Sequence, residues 1–157
     1  MSKSVKPIPD GYHSVTPYLV VKGAAAAIDF YKRAFGAIEL LRLEGPNGVI
    51  GHAEVKIGDS PVMLADEHPD HGALSPDSIG GSPISLMVYV EGVDAVFAQA
   101  LEAGATEIRP VQNQFYGDRS GMLKDPFGHT WNIATHVEDV PEDEIAERAK
   151  AAMSDGQ

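Results

Sequence analysis

The chain has 157 residues, 43% of them hydrophobic, which is enough for one domain with a substantial core. Its 12 Lys and Arg against 23 Asp and Glu leave a formal charge of −11, which argues against nucleic acid and anionic membranes as partners. The lack of cysteine excludes disulfides, thiolate metal sites and cysteine nucleophiles. No run is apolar and long enough to span a bilayer or act as a signal peptide, so the expected location is the cytoplasm.

Residues 1–12 have little periodicity and are expected to be a flexible lead-in. A strand is expected over 14–21, with Leu19 and Val21 on one face and Thr16, Tyr18 and Val20 on the other. Gly23 breaks it. Ala24 to Phe35 is rich in helix formers, and Ala27, Ile28, Tyr31, Ala34 and Phe35 recur at helical spacing before Gly36 stops the run. Three strands are expected next, over 38–43, 49–57 and 62–65. In the middle one Ala53, Val55 and Ile57 alternate against His52, Glu54 and Lys56. Residues 66–82 read as loop, with acids, two His, two Pro and the Gly80-Gly81 pair.

The pattern then begins again. A strand over 84–90 breaks at Gly92, a helix over 93–103 stops at Gly104, and strands are expected over 107–112, 119–123 and 130–135. Val21 maps on Val90, Gly23 on Gly92 and Met63 on Asn132, each at an offset of 69 residues. Two copies of one unit are too few for a solenoid, so the reading is a duplicated βαβββ sharing a core. The fold class is therefore α+β. Its single domain spans 13–137, with module one at 13–66, a linker at 67–82 and module two at 83–137. Residues 138–157 carry seven acids against Arg148 and Lys150 and are expected to form an acidic C-terminal helix and tail.

The doubled unit, with Ala27-Ile28-Asp29-Phe30-Tyr31-Lys32-Arg33-Ala34-Phe35-Gly36 in its first helix and Asp125-Pro126-Phe127-Gly128-His129-Thr130-Trp131 before its last strand, resembles the vicinal oxygen chelate superfamily. That superfamily holds glyoxalase I, bleomycin-resistance proteins, fosfomycin-resistance enzymes and extradiol dioxygenases. Gly117-Asp118-Arg119 looks like its glyoxalase-like branch of the phosphonate-operon type. The resemblance covers roughly residues 14–137. It implies two modules curled around a shared half-barrel cleft, commonly completed by a partner in a homodimer. In metal-dependent members, ligands come from the cleft faces of the first and last strand of each module.

The equivalent positions here are Thr16, Met63, Ser85 and Asn132: a hydroxyl, a thioether, a hydroxyl and an amide. None offers the imidazole or carboxylate of a tight divalent site, so no standard metal and no cofactor are expected. Tyr18, Met87 and Tyr89 share cleft parity with these four and suit a small-molecule site. Arg119 is a candidate clamp for an anionic ligand, or else a partner of Asp118 or Asp125 in the hairpin. Trp131 falls on the core face, and Phe115 and Tyr116 could lid the cleft. His52, Glu54 and His136 are the candidates for acid–base chemistry or for a divalent metal at a non-standard site. The cluster from Asp66 to His71 has no recognised metal-ligand spacing and reads as a solvated loop. The expected function is small-molecule binding of the bleomycin-resistance kind. The alternative is a lyase, isomerase or transferase built on His52, Glu54 and His136.

Overall fold

The computed structural model describes residues 4–155, so the ends of the expected lead-in and tail, 1–3 and 156–157, lie outside the described residues. Residues 4–12 form no helix or strand and carry an exposed ion pair between Lys6 Nζ and Asp10 Oδ1, 2.8 Å apart. The elements follow as β1 (Tyr18–Val21), α1 (Ala24–Phe35), β2 (Ile38–Glu44), β3 (Ile50–Ile57), β4 (Ser60–Asp66), α2 (Pro76–Ile79), β5 (Ser85–Tyr89), α3 (Val93–Ala103), β6 (Thr106–Asn113), β7 (Asp118–Lys124), β8 (Thr130–His136) and α4 (Glu142–Asp155). This is βαβββ twice, with a helix after the second copy. The chain divides into two compact units, residues 1–82 and 83–157.

In the first unit the strand order is β1-β4-β3-β2, with β1 parallel to β4 and the other pairs antiparallel. Helix α1 seals one face of this sheet. Ile28, Phe30 and Tyr31 are at most 1% exposed, and so are Val21, Ala53, Val55 and Leu64 from the strands. Burying each large side chain contributes about 1.5–3 kcal/mol. Gly36 takes a left-handed φ of 68° and closes the helix, its N–H donating to Lys32 O while Ala37 N–H reaches Tyr31 O. At the other end no residue of the helix caps it. Asp66 does so from the end of β4, its Oδ1 accepting from the N–H groups of Gly23 and Ala24 while Oδ2 accepts from Ile50 N–H.

Strand β1 is shorter than the expected 14–21. Pro17 has no N–H to donate, so the ladder begins at Tyr18 and leaves Thr16 ahead of it. Residues 67–82, expected as plain loop, hold a 3-10 turn at Pro69–His71 and the short helix α2. Glu67 orders them, its Oε1 accepting from Ser75 N–H at 2.9 Å and from Ser78 Oγ at 2.8 Å. The rings of His68 and His71 stack with centroids 3.9 Å apart.

The second unit repeats the topology as β5-β8-β7-β6. The repeat extends to register: Tyr18 pairs with Met63 and Met87 with Asn132, each pair 45 residues apart and the two pairs offset by the 69 residues visible in the sequence. Here α3 lies on the sheet so closely that a Cβ on Gly121 would come within 2.8 Å of Phe97 Cε2 and 2.9 Å of Val111 Cγ2. Thr135 takes the capping role at this helix, its Oγ1 accepting from Val93 N–H and donating to Val90 O.

Candidate functional site

Because each helix covers one face of its sheet, the opposite faces remain open, and the strand alternation decides what they present. On the first sheet the open face carries Tyr18, Met63, Glu54 and Leu41 in one row across the four strands. His52 and Leu43 follow in the next row. Tyr18 is 49% exposed and Leu43 53%. The polar members form a chain: Tyr18 Oη is 2.8 Å from His52 Nδ1, and His52 Nε2 is 2.8 Å from Glu54 Oε2. Partial burial pushes the Tyr18 phenol above its ordinary pKa.

The second sheet presents Ser85, Met87, Tyr89 and Asn132 on the equivalent face. The Asn132 amide donates from Nδ2 to Ser85 Oγ at 3.3 Å. Tyr89 Oη donates to Asp118 Oδ2 at 2.8 Å, and the other oxygen of that buried carboxylate lies 2.9 Å from His136 Nδ1. His136 Nε2 is 2.7 Å from Asp139 Oδ1. Hydrogen bonds to Asp118 and then Asp139 raise the His136 pKa, and the bond to Asp118 likewise raises that of Tyr89.

Of the three residues expected for acid–base work, His52 and Glu54 are hydrogen-bonded to each other, and Tyr18 joins them. His136 sits in the second unit with Asp118 and Asp139. Arg119 needs a correction. It pairs with neither Asp118 nor Asp125 but with Asp94 in the first turn of α3, through Nε to Oδ2 at 2.8 Å and Nη2 to Oδ1 at 2.9 Å. A guanidinium on β7 reaches across to the helix that packs on its own sheet, while Asp118 is taken by Tyr89 and His136. Trp131 is 1% exposed and donates from Nε1 to Asp125 Oδ2 at 2.9 Å. Phe115 and Tyr116 meet edge-on, 5.2 Å between centroids, and α4 holds their loop through Arg148 Nη1 to Phe115 O at 3.1 Å.

Three partnerships escaped the sequence reading. Tyr18 and His52 are 34 residues apart on strands separated by β4, so only the register brings them together. Asp118 stands beside Arg119, which masked its pairing with Tyr89 and His136. Asp125 could have been found: an Asp that opens a turn with Pro next commonly accepts from the backbone two residues on, and here its Oδ1 takes the N–H of Phe127 and of His129.

The metal of the metal-dependent superfamily members does not fit these residues. The positions in question carry Thr16, Met63, Ser85 and Asn132, and the Asn132 amide already directs its amino group at Ser85. Both ring nitrogens of His52 and of His136 are hydrogen-bonded within the chain. Among the described residues no three His, Asp or Glu side chains are grouped to hold an ion, and no helix is long and apolar enough to cross a membrane.

Comparison with known proteins agrees with the architecture. The sequence profile of the Glyoxalase/Bleomycin resistance protein/Dioxygenase superfamily matches residues 11–133. The uncharacterized protein Mb0911c of Mycobacterium bovis is 43% identical over 146 residues, covering 91% of this chain and 95% of that one. Among solved structures, TioX from Micromonospora sp. ML1 superposes with a TM-score of 0.62 at 27% identity, over 80% of this chain and 99% of that one. The Arabidopsis thaliana product At5g48480 gives 0.64 at 26% identity, over 78% and 98%. A profile match over most of the length, joined to a doubled βαβββ with matching register, makes this chain a member of the Glyoxalase/Bleomycin resistance protein/Dioxygenase superfamily.

Proposed function

We propose that this protein binds a small aromatic or cationic molecule against the helix-free faces of its sheets, and that it does so without a divalent metal. The observation that carries the reading is the composition of those faces. Tyr18, Met63, Met87 and Tyr89 offer apolar area, and Ser85 and Asn132 add hydrogen-bonding tips, which is the mixture small-molecule sites use. Methionines adapt to irregular ligands, and aromatic rings attract cations. The charge of −11 favours cationic ligands over anionic ones. The superfamily's own name includes bleomycin resistance, which accords with binding a small compound.

A homodimer in the cytoplasm is part of the same reading. Its support is the edge strand β2, where Ile38, Leu40, Leu41 and Leu43 are all more than a third exposed. The test is calorimetric titration with a panel of planar aromatic cations in the presence of EDTA. Saturable binding is the expected result, weakened at least ten-fold by Met63→Ala for a ligand on the first sheet and by Met87→Ala for a ligand on the second. Binding that appears only when a divalent metal is restored would overturn the reading.

A further inference from the structure

Both sheets carry a tyrosine, a histidine and a carboxylate in hydrogen-bonded contact, but the order differs, and the order decides the chemistry. In the second unit the carboxylate of Asp118 is in the middle, accepting from Tyr89 and holding His136. A carboxylate accepts from both sides and is too weak a base to take the phenol proton, so this arrangement fixes positions. In the first unit the imidazole of His52 is in the middle. The Glu54 carboxylate accepts only, so the neutral ring carries its hydrogen on Nε2 and leaves Nδ1 as the acceptor. The Tyr18 hydroxyl therefore donates to Nδ1, and its oxygen lone pairs are left for a ligand.

We propose that Tyr18, His52 and Glu54 form a proton relay in which the Tyr18 oxygen takes a proton from an activated C–H, such as one next to a carbonyl, of a bound and largely apolar molecule. Tyr18 is the catalytic residue; His52 and Glu54 are positioning residues that act through it. As the Tyr18 oxygen accepts the substrate proton, its own proton passes to His52 Nδ1. The electron pair of the broken C–H bond stays on the substrate as an enolate. The imidazolium so formed keeps its Nε2–H on Glu54, which offsets its charge. Return of the proton to the other face of that carbon, or to the far end of a conjugated double bond, gives an isomer and restores the relay, with no co-reactant consumed.

The setting suits that substrate class. Met63 lies beside Tyr18, and Leu41 and Leu43 pair with Glu54 and His52 across the strands. Among β1 to β4, Lys56 is the other charged side chain on this face. The relay is also exposed enough to meet a ligand, with side-chain exposures of 25% for His52 and 17% for Glu54. The inference rests on the proposal that this face takes a small molecule, and the experiment separates the two.

The probe is 5-nitrobenzisoxazole, an apolar ring whose N–O bond breaks when its C–H proton is removed, releasing a coloured phenolate. With the full-length chain in EDTA, the expected result is catalysed release that falls about a hundred-fold or more in Tyr18→Phe and in His52→Ala. Glu54→Gln is expected to change the pH–rate profile, which a carboxylate with only a structural role would leave alone. The linker variant His71→Ala is expected to behave as the wild type. Equal rates in wild type and Tyr18→Phe would overturn the relay. Equilibrium dialysis of the same probe then tells whether binding fails with it: retained binding leaves the ligand-binding proposal standing. Nitrogen NMR of the wild type decides independently of any variant, a bare Nδ1 and protonated Nε2 at His52 supporting the relay and the opposite tautomer overturning it.

Discussion

Asp125 is 3% exposed and satisfies two backbone N–H groups and the Trp131 indole at once. Removing its carboxylate takes one acceptor from three donors at once, and losing a buried hydrogen bond costs about 1–3 kcal/mol. Asp125→Ala is therefore expected to lower the unfolding free energy by about 3 kcal/mol or more, read by urea denaturation. Arg119→Ala is expected to change it by less than about 1 kcal/mol, because its ion pair with Asp94 is exposed. Gly117 is a second sensitive position, with φ of 103° and a missing Cβ that would collide with the Glu138 carbonyl. At this scale the sequence is a partial guide. Side-chain types and the faces of Leu19, Val21 and Trp131 follow from alternation, whereas the partners of Arg119, Asp118 and Tyr18 depend on register that no single strand encodes.

Elements are more legible. The helices of the two repeats, Ala24–Phe35 and Val93–Ala103, run between glycines that the sequence displays as breakers, so their ends coincide with expectation. Strand β1 differs because Pro17 cuts its ladder, and α2 was missed because four residues carry no periodicity. The packing of α3 on β7 gives a prediction: Gly121→Val forces Phe97 and Val111 aside and is expected to cost about 1–3 kcal/mol, measured by thermal and chemical unfolding. The end of β8 gives another, in pH. His136 is raised in the folded state by Asp118 and Asp139, so its contribution is present in full below the unfolded value of about 6.5 and is lost as pH rises through the folded one. The melting-temperature advantage of wild type over His136→Gln is thus expected at mildly acidic pH and should vanish in alkali. An advantage that grows with pH would contradict the assignment.

For the whole chain, duplication is the feature from which the fold was legible. One offset of 69 residues aligns breakers, strands and, in the structure, the register of Tyr18 with Met63 against Met87 with Asn132. The candidate site was legible in kind and less so in detail: alternation puts Tyr18, Met63, Ser85, Met87, Tyr89 and Asn132 on the helix-free faces, but Thr16 lies ahead of β1, Arg119 reaches Asp94 on α3, and a polar chain that skips a strand emerges only from the fold. The central claim is that these open faces take a small molecule with no metal as intermediary. Methyl-labelled methionine NMR tests it most directly, since Met63, Met87 and Met122 lie on those faces and Met153 lies on α4. During titration with a planar aromatic cation in EDTA, the signals of Met63 and Met87 should shift to saturation while that of Met153 stays in place. Shifts confined to Met153, or shifts that require an added divalent metal, would contradict the account.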